Sequence, residues 1–520
     1  MSQSHEDAAD SGRGVSAPRP HVAGQRTHLS PLGWLAIIGA AVLVGLLIYT
    51  SVTGAPPAPE GERHGPPAGY QVPPPWACAP FVLLLLSIAL LPLIPATAHW
   101  WEHNINRLTV ALSLGAVTLA FYAWHHPMTY NHTTHEVHRG LGSVVYVLEH
   151  AVVKEYIPFI MLLFSLYVIS GGICLRGDLP AHPGINTAFL AAGGVLASFI
   201  GTTGASMLLI RPLLQTNSER RHTVHTVIFF IFLVSNCGGL LLPIGDPPLF
   251  LGYLRGVPFL WTLRLWPEWL MVTGALLAIY FVWDILAHRQ EAPRDIARDE
   301  TEKQPLRLRG SINLLWLLGV VLCVALVDPE KEFPVLGFKP FPFMRELLML
   351  GFVVLSLKTT NKGSREANQF NYHAILEVAA LFIGIFICMQ APIEILNHKG
   401  AQLGLSKVWH FFWASGSLSS FLDNAPTYVV FFETARALPP GAEVVALADG
   451  VIDASLLVGI SLGSVFMGAM TYIGNGPNFM VKSIAEQSGV KMPSFFGYMV
   501  YSIAVLIPLF ILLNLIFLRG

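Results

Sequence analysis

The chain has 520 residues, of which 53% are hydrophobic and only 12% charged, and its formal net charge is -1. Soluble domains carry roughly 25% charged residues, so this much apolar side chain cannot be hidden in one globular core and belongs in a bilayer. A near-neutral balance offers none of the basic surface that nucleic acid requires, which sets nucleic-acid partners aside.

In chain order, residues 1–31 are polar and carry Arg13, Arg19 and Arg26; they are expected to be a disordered cytoplasmic tail. Residues 32–50 form an apolar run long enough to cross a bilayer, read as a retained N-terminal helix. Val52-Thr53-Gly54-Ala55 supports the competing reading of a cleaved signal. A Pro/Gly-rich linker covers 51–78. The first transmembrane half, 79–287, contains apolar segments at 79–98, 106–124 and 155–175. It continues through an interrupted segment at 187–214, a broken helix at 223–254 and a return span at 264–287. A charged loop at 288–311 separates it from the second half, 312–517. There the spans fall at 312–328, 345–357 and 372–390, followed by an interrupted segment at 406–436, a broken helix at 450–484 and a last span at 496–517.

Arg220 and Arg221, together with Arg289, Arg294, Arg298, Lys303, Arg307 and Arg309, mark two loops as cytoplasmic by the positive-inside rule. The amino terminus is then inside, in a multi-pass protein of the cytoplasmic (inner) membrane. The stretch with His125, His126, His132, His135, His138 and His150 is outside. Histidines 132, 135 and 138 share one helical face if the stretch is helical, which would suit a metal; no Cys or HExxH accompanies them, and a solvated loop is the preferred reading. A membrane metalloenzyme built on them is a remote alternative. The five cysteines Cys78, Cys174, Cys237, Cys323 and Cys388 form no CxxC pair and read as small core residues.

The interruptions are written twice. Ser198-Phe199-Ile200-Gly201-Thr202-Thr203-Gly204-Ala205-Ser206 is answered by Ser420-Phe421-Leu422-Asp423-Asn424-Ala425-Pro426-Thr427. Ile244-Gly245-Asp246-Pro247-Pro248-Leu249-Phe250 is answered by Ile473-Gly474-Asn475-Gly476-Pro477-Asn478-Phe479 through Ile-Gly-x-x-Pro-x-Phe, and Ser235 and Gly239 recur at the spacing of Ser464 and Gly468. Paired Gly/Pro breaks in corresponding positions of two halves point to the binding site of a secondary transporter. The expected fold is an all-α polytopic membrane protein of about eleven crossings, with inverted repeats, two re-entrant helical hairpins and two broken transmembrane helices.

An ionised acid near mid-membrane costs several kcal/mol unless it is paired or neutralised, so Asp246 and Asp423 are site candidates, although either could be a helix cap. Thr202, Thr203, Ser206, Asn424, Thr427, Asn475 and Asn478 supply hard oxygens suited to sodium, with Asn236 and Asp453 as secondary candidates. Half-helix amino termini at the same places would suit an anion instead. The one Arg near a hairpin, Arg211, is read as interfacial, and the lack of a fixed cation favours cation/proton exchange over carboxylate binding. Glu149-His150 and Lys154-Glu155 read as interfacial ion pairs, with a proton relay as the alternative. Trp100, Trp101, Trp261, Trp266 and Trp269 read as belt residues.

Over about 79–517 the chain resembles the ion-transporter superfamily, which includes sodium/proton antiporters, arsenite and citrate carriers and sodium-coupled dicarboxylate transporters. The resemblance rests on Phe421-Leu422-Asp423-Asn424-Ala425-Pro426-Thr427, similar to the Asp-Asn motif of the antiporter branch, and on the break at 474–478. It implies a scaffold able to form a homodimer and a transport unit whose hairpin tips enclose the site. Neither tip carries the Ser-Asn-Thr motif of the sodium-coupled carboxylate branch, and the first has no Asp-Asn pair. The expected function is an ion-coupled secondary transporter working by alternating access. Sodium/proton antiport stands slightly ahead of citrate or dicarboxylate transport coupled to sodium, protons or a metal ion. Its partners are a small ion or carboxylate and the lipid bilayer. No P-loop is present, and neither an enzymatic activity nor a cofactor is implied beyond the transported Na+ or H+.

Overall fold

The computed structural model describes residues 70–519 except 127, 131–135, 295, 297–303, 330–332, 334–336 and 448–449. The tail, the first apolar run and most of the linker therefore lie outside the described residues, as do His132 and His135.

The chain is an all-α polytopic membrane protein. Among the described residues, six helices are long and apolar enough to cross a membrane, or up to eight if each of two bent pairs is one span, and two shorter apolar helices accompany them. The helices, in order, are α1 (Ala79–Leu90), α2 (Pro95–Trp101), α3 (Asn104–Trp124), α4 (Leu141–Leu148) and α5 (Ile157–Ser170). Next come α6 (Pro183–Ile200), α7 (Thr202–Thr216), α8 (Val224–Leu233), α9 (Pro247–Leu254) and α10 (Trp266–His288). The second half contributes α11 (Ile312–Leu326), α12 (Met344–Thr359), α13 (His373–Cys388), α14 (Gln390–Lys399), α15 (Val408–Ser419), α16 (Asn424–Arg436), α17 (Ala454–Phe466), α18 (Gly476–Gln487) and α19 (Phe495–Phe517).

The apolar segment at 79–98 is bent: α1 and α2 meet at 101°. Pro95 is the cause, because its ring pushes Ile94 out of the helical region, to φ -87° and ψ 118°. Thr97 Oγ1 donates to the Leu91 carbonyl at 2.8 Å and satisfies part of the freed backbone. In contrast, the span expected at 155–175 begins earlier, at Leu141. A π-helical stretch at Glu149–Tyr156 joins α4 to α5 in one 30-residue element.

Position in the bundle follows hydrophobicity. The segment Val224–Leu241 is apolar all round, and 89% of its 18-residue window is buried, against 28% for Phe495–Phe517. The broken helix is central and the last helix peripheral. Gly384 lets α3 and α13 approach closely, since a Cβ there would meet Ala111. Arg107 of α3 pairs with Glu377 of α13 at 2.9 Å.

At the end of the bundle near Arg220, buried Asp284 of α10 binds Arg220 at 2.6 Å and His225 at 2.8 Å, while Asn186 of α6 donates to both Asn217 and Asp284. Glu291, just past α10, accepts from the backbone N–H groups of Arg221 and His222. Burial pushes its carboxyl up, but those two N–H groups and the His222 ring outweigh it and hold the group below its ordinary value. The charged loop also contains a strand the sequence did not suggest: Gln304–Arg309 pairs antiparallel with Cys174–Asp178, Cys174 opposite Arg309.

Candidate functional site

Both breaks have one local cause. Pro248 and Pro477 stand at the start of α9 and α18, where a missing N–H costs nothing, and they prevent the helix from running continuously through the preceding residues. Asp246 and Asn475, the residues that precede these helices, have nearly the same extended backbone: φ -143°, ψ 142° and φ -151°, ψ 141°. Upstream of each, a 3-10 turn, Cys237–Leu241 or Met467–Met470, carries the chain into the break.

Glycine makes the breaks compact. A Cβ on Gly245 would fall onto the Gly239 carbonyl, and one on Gly474 would crowd the Gly468 carbonyl, so the duplicated Gly pairs noted in the sequence are a duplicated close approach. Gly245→Ala is expected to destabilise the protein by about 1–3 kcal/mol or more, whereas Gly476→Ala, whose Cβ meets nothing within 4 Å, is expected to stay within about 0.5 kcal/mol of the parent. Unfolding of the two variants in detergent checks this, and equal stabilities would contradict it.

The helix junctions dock onto these breaks. Between α6 and α7 the chain turns at Gly201, whose φ of 80° suits glycine alone. The Thr202 N–H then donates to the Gly245 carbonyl at 2.8 Å. Ser198 Oγ donates to the Gly238 carbonyl. Between α15 and α16, Ser419 Oγ donates to the Ser464 carbonyl at 2.7 Å and Ser420 Oγ to the Met467 carbonyl at 3.2 Å. Each junction thus clips onto the break of its own half.

Side chains from both halves meet at Asp246, which is 1% exposed. Its Oδ1 accepts from Thr202 Oγ1 at 2.9 Å and Asn475 Nδ2 at 3.1 Å, and its Oδ2 accepts from Asn424 Nδ2 at 2.6 Å. All three donors are neutral. Around them, Asn236 Nδ2 donates to Asn478 Oδ1 at 2.7 Å, Asn475 Nδ2 also reaches the Ser235 carbonyl at 3.1 Å, and the hydroxyls of Ser206 and Ser235 lie 2.8 Å apart. Asn424 Oδ1 is buried with no hydrogen-bond partner among the described residues.

Of the residues singled out in the sequence, Thr202, Ser206, Asn236, Asp246, Asn424, Asn475 and Asn478 are therefore joined in one buried cluster. Asp423 is next to Asn424 and caps α16, accepting from the Ala425 N–H at 3.0 Å, and Thr427 donates to the Asp423 carbonyl. Thr203 is half-buried and joins none of these bonds. Asp453 is elsewhere: its carboxylate accepts from the N–H groups of Ser455 and Leu456 and caps α17.

Four helix amino termini open onto this cluster, because α7, α9, α16 and α18 begin directly after Gly201, Asp246, Asp423 and Asn475. Each carries roughly half a positive charge that acts within its first turn. The site is thus electropositive without an Arg or Lys among the groups bonded to Asp246.

Two ionic groups escaped the sequence reading. Arg255, at the carboxyl end of α9, binds Glu155 at 2.6 Å and Glu433 at 3.2 Å, and Arg436 shares Glu433 at 3.2 Å. Glu155 is therefore not the partner of Lys154, which reaches Glu149 at 3.5 Å. The other is Asp284, an acid inside an apolar run, which the cost of intramembrane charge would have flagged. In the His-rich region, His126 binds Glu394 at 3.0 Å, and Tyr70 and Tyr122 donate to the same carboxylate. Among the described residues no group of three His, Cys, Asp or Glu is placed to hold a metal ion.

No curated protein matches the chain. Residues 70–518 match the family described as "Putative citrate transport", and by that match over most of its length the chain belongs to this family of membrane transport proteins.

Proposed function

We propose that the chain is an ion-coupled secondary transporter of a small citrate-type carboxylate, with Asp246 carrying the coupling sodium ion or proton. The observation that carries this reading is the convergence of four helix amino termini on one buried acid held only by neutral donors. Four termini contribute roughly two positive charges, which two ionised acids, Asp246 and Asp423, would balance. An anion entering such a site must bring cations or protons with it, and that requirement is coupling.

The magnitudes favour reversibility. Hydrogen bonds to a charged group contribute about 1.5–3 kcal/mol each, so three of them supply roughly 5–9 kcal/mol. The effective cost of burying the carboxylate is also several kcal/mol. Neither term dominates, and gain or loss of one cation sets the charge of the site. Asn424 Oδ1, buried and unpartnered, is an oxygen such a cation would use.

In this reading α6–α7 and α15–α16 are hairpins entering from opposite faces, and alternating access moves the cluster between them. Sodium/proton antiport, which the sequence placed slightly ahead, remains the second reading, because no fixed cation is bonded to the acid.

Labelled citrate uptake into proteoliposomes decides the matter. Saturable accumulation driven by a sodium or pH gradient is the expected result. Sodium-driven collapse of a pH gradient in vesicles free of carboxylate, with no citrate accumulation, would establish exchange instead.

A further inference from the structure

We propose that Arg211 is the anion-recognition residue on the cytoplasmic approach to the site, meeting a carboxylate of the cargo on its way to or from the cluster at Asp246. This assignment rests on the carboxylate reading above. Of the 15 residues of α7, Thr202–Thr216, all are buried but five. The five are Thr203, Met207, Arg211, Leu214 and Gln215, whose spacing of three and four puts them on one helical face. Because α5, α6, α18 and the strand Cys174–Asp178 pack around α7, that face is a narrow seam between protein elements. It begins at Thr203, next to the Thr202 hydroxyl that binds Asp246. It ends where Leu214 lines a cavity of about 450 Å³ shared with Asn217 and Arg220, at the end that the charge bias makes cytoplasmic.

Arg211 is half-buried on this seam, and among the described residues it has no hydrogen-bond or ion-pair partner. A guanidinium is a rigid fork of donors that matches a carboxylate, so the missing partner is an acid. Thr203 and Arg211 are about 12 Å apart along the helix axis at 1.5 Å per residue. The cation therefore serves the approach and leaves the bonds of Asp246 alone. A lone sodium ion would gain nothing there. The repeat sharpens the contrast, because the offset that carries Thr202 to Asn424 carries Arg211 to Glu433. Glu433 is 3% exposed and is held by Arg255 and Arg436, each at 3.2 Å. One half closes this position in an ion network; the other presents a cation without a counter-ion.

Everted membrane vesicles containing the full chain present that side to labelled citrate, and initial uptake rates give KM. Arg211→Gln should raise KM about tenfold or more, the worth of one hydrogen bond to a charged group, at an unchanged maximal rate and melting temperature. Restored charge is the signature. Arg211→Cys is made together with Cys78→Ser, because Cys78 is the one native cysteine that is not buried. Trimethylammonioethyl methanethiosulfonate, which returns a cation to position 211, should bring KM back towards the wild-type value. Sulfonatoethyl methanethiosulfonate, which adds an anion, should not. Wild-type citrate uptake with an unaltered KM in Arg211→Gln would overturn this assignment and leave the proposed function standing. Equal effects of the two reagents on KM would do the same, marking an interfacial Arg. Absence of citrate uptake by the wild type would overturn both.

Discussion

Asp246→Asn is expected to lower gradient-driven uptake by about a hundred- to five-thousandfold, the equivalent of the roughly 3–5 kcal/mol attached to removing one partner of a buried charged contact. The volume is unchanged, so the break should keep its shape. Three donors converge on the carboxylate, from Thr202, Asn475 and Asn424. An amide offers one acceptor oxygen, and its NH2 would face at least one of those donors. A stability loss of about 1–3 kcal/mol should therefore accompany the transport defect. The two effects separate in one preparation: initial uptake rates report the first, and thermal unfolding in detergent reports the second. A variant that stays folded and retains more than a tenth of wild-type uptake, still dependent on sodium or pH, would remove Asp246 from the coupling mechanism.

Arg255→Met should be the most destabilising single change outside the site. The guanidinium is 8% exposed and binds two acids, Glu155 at 8% and Glu433 at 4%. Solvent screening is therefore small, and stranding the acids should cost about 3–5 kcal/mol. The signature is rescue. Glu155→Gln combined with Arg255→Met should recover part of the loss, because Glu155→Gln removes the charge that Arg255→Met strands. Arg436 still attends Glu433 at 3.2 Å, so the Glu433 side is already partly compensated. An Arg255→Met protein that unfolds at the wild-type temperature would show that the pair contributes nothing net.

The legible part of this protein was its punctuation. Pro247, Pro248 and Pro477 cannot continue a helix, and the glycines at 201, 245 and 474 accompany them, so the breaks were visible as composition. Duplication tied Asn475 to Asp246 before any distance was known. Periodicity could not show that α1 turns through 101° into α2, because the residues on both sides of the corner are apolar and only Pro92 and Pro95 mark it. Nor could it show which acid meets which base. Arg255 and Glu155 are 100 residues apart, and Arg220 and Asp284 are 64 apart, pairings set by packing. Asp453 meets the same limit: a carboxylate opening a helix reads alike whether it serves a ligand or its own first turn.

The half-helix α9 packs on α16, and α18 packs on α7, so each half of the chain shelters the other's interruption. During synthesis the segment bearing Asp246 leaves the ribosome some 180 residues before Asn424, which binds it. For that interval the acid has Thr202 but neither amide partner. A severed amino-terminal half would stay in this unfinished condition and become prey for membrane quality control, while co-production of the two pieces, cut in the loop near residue 300, should let them mend one another.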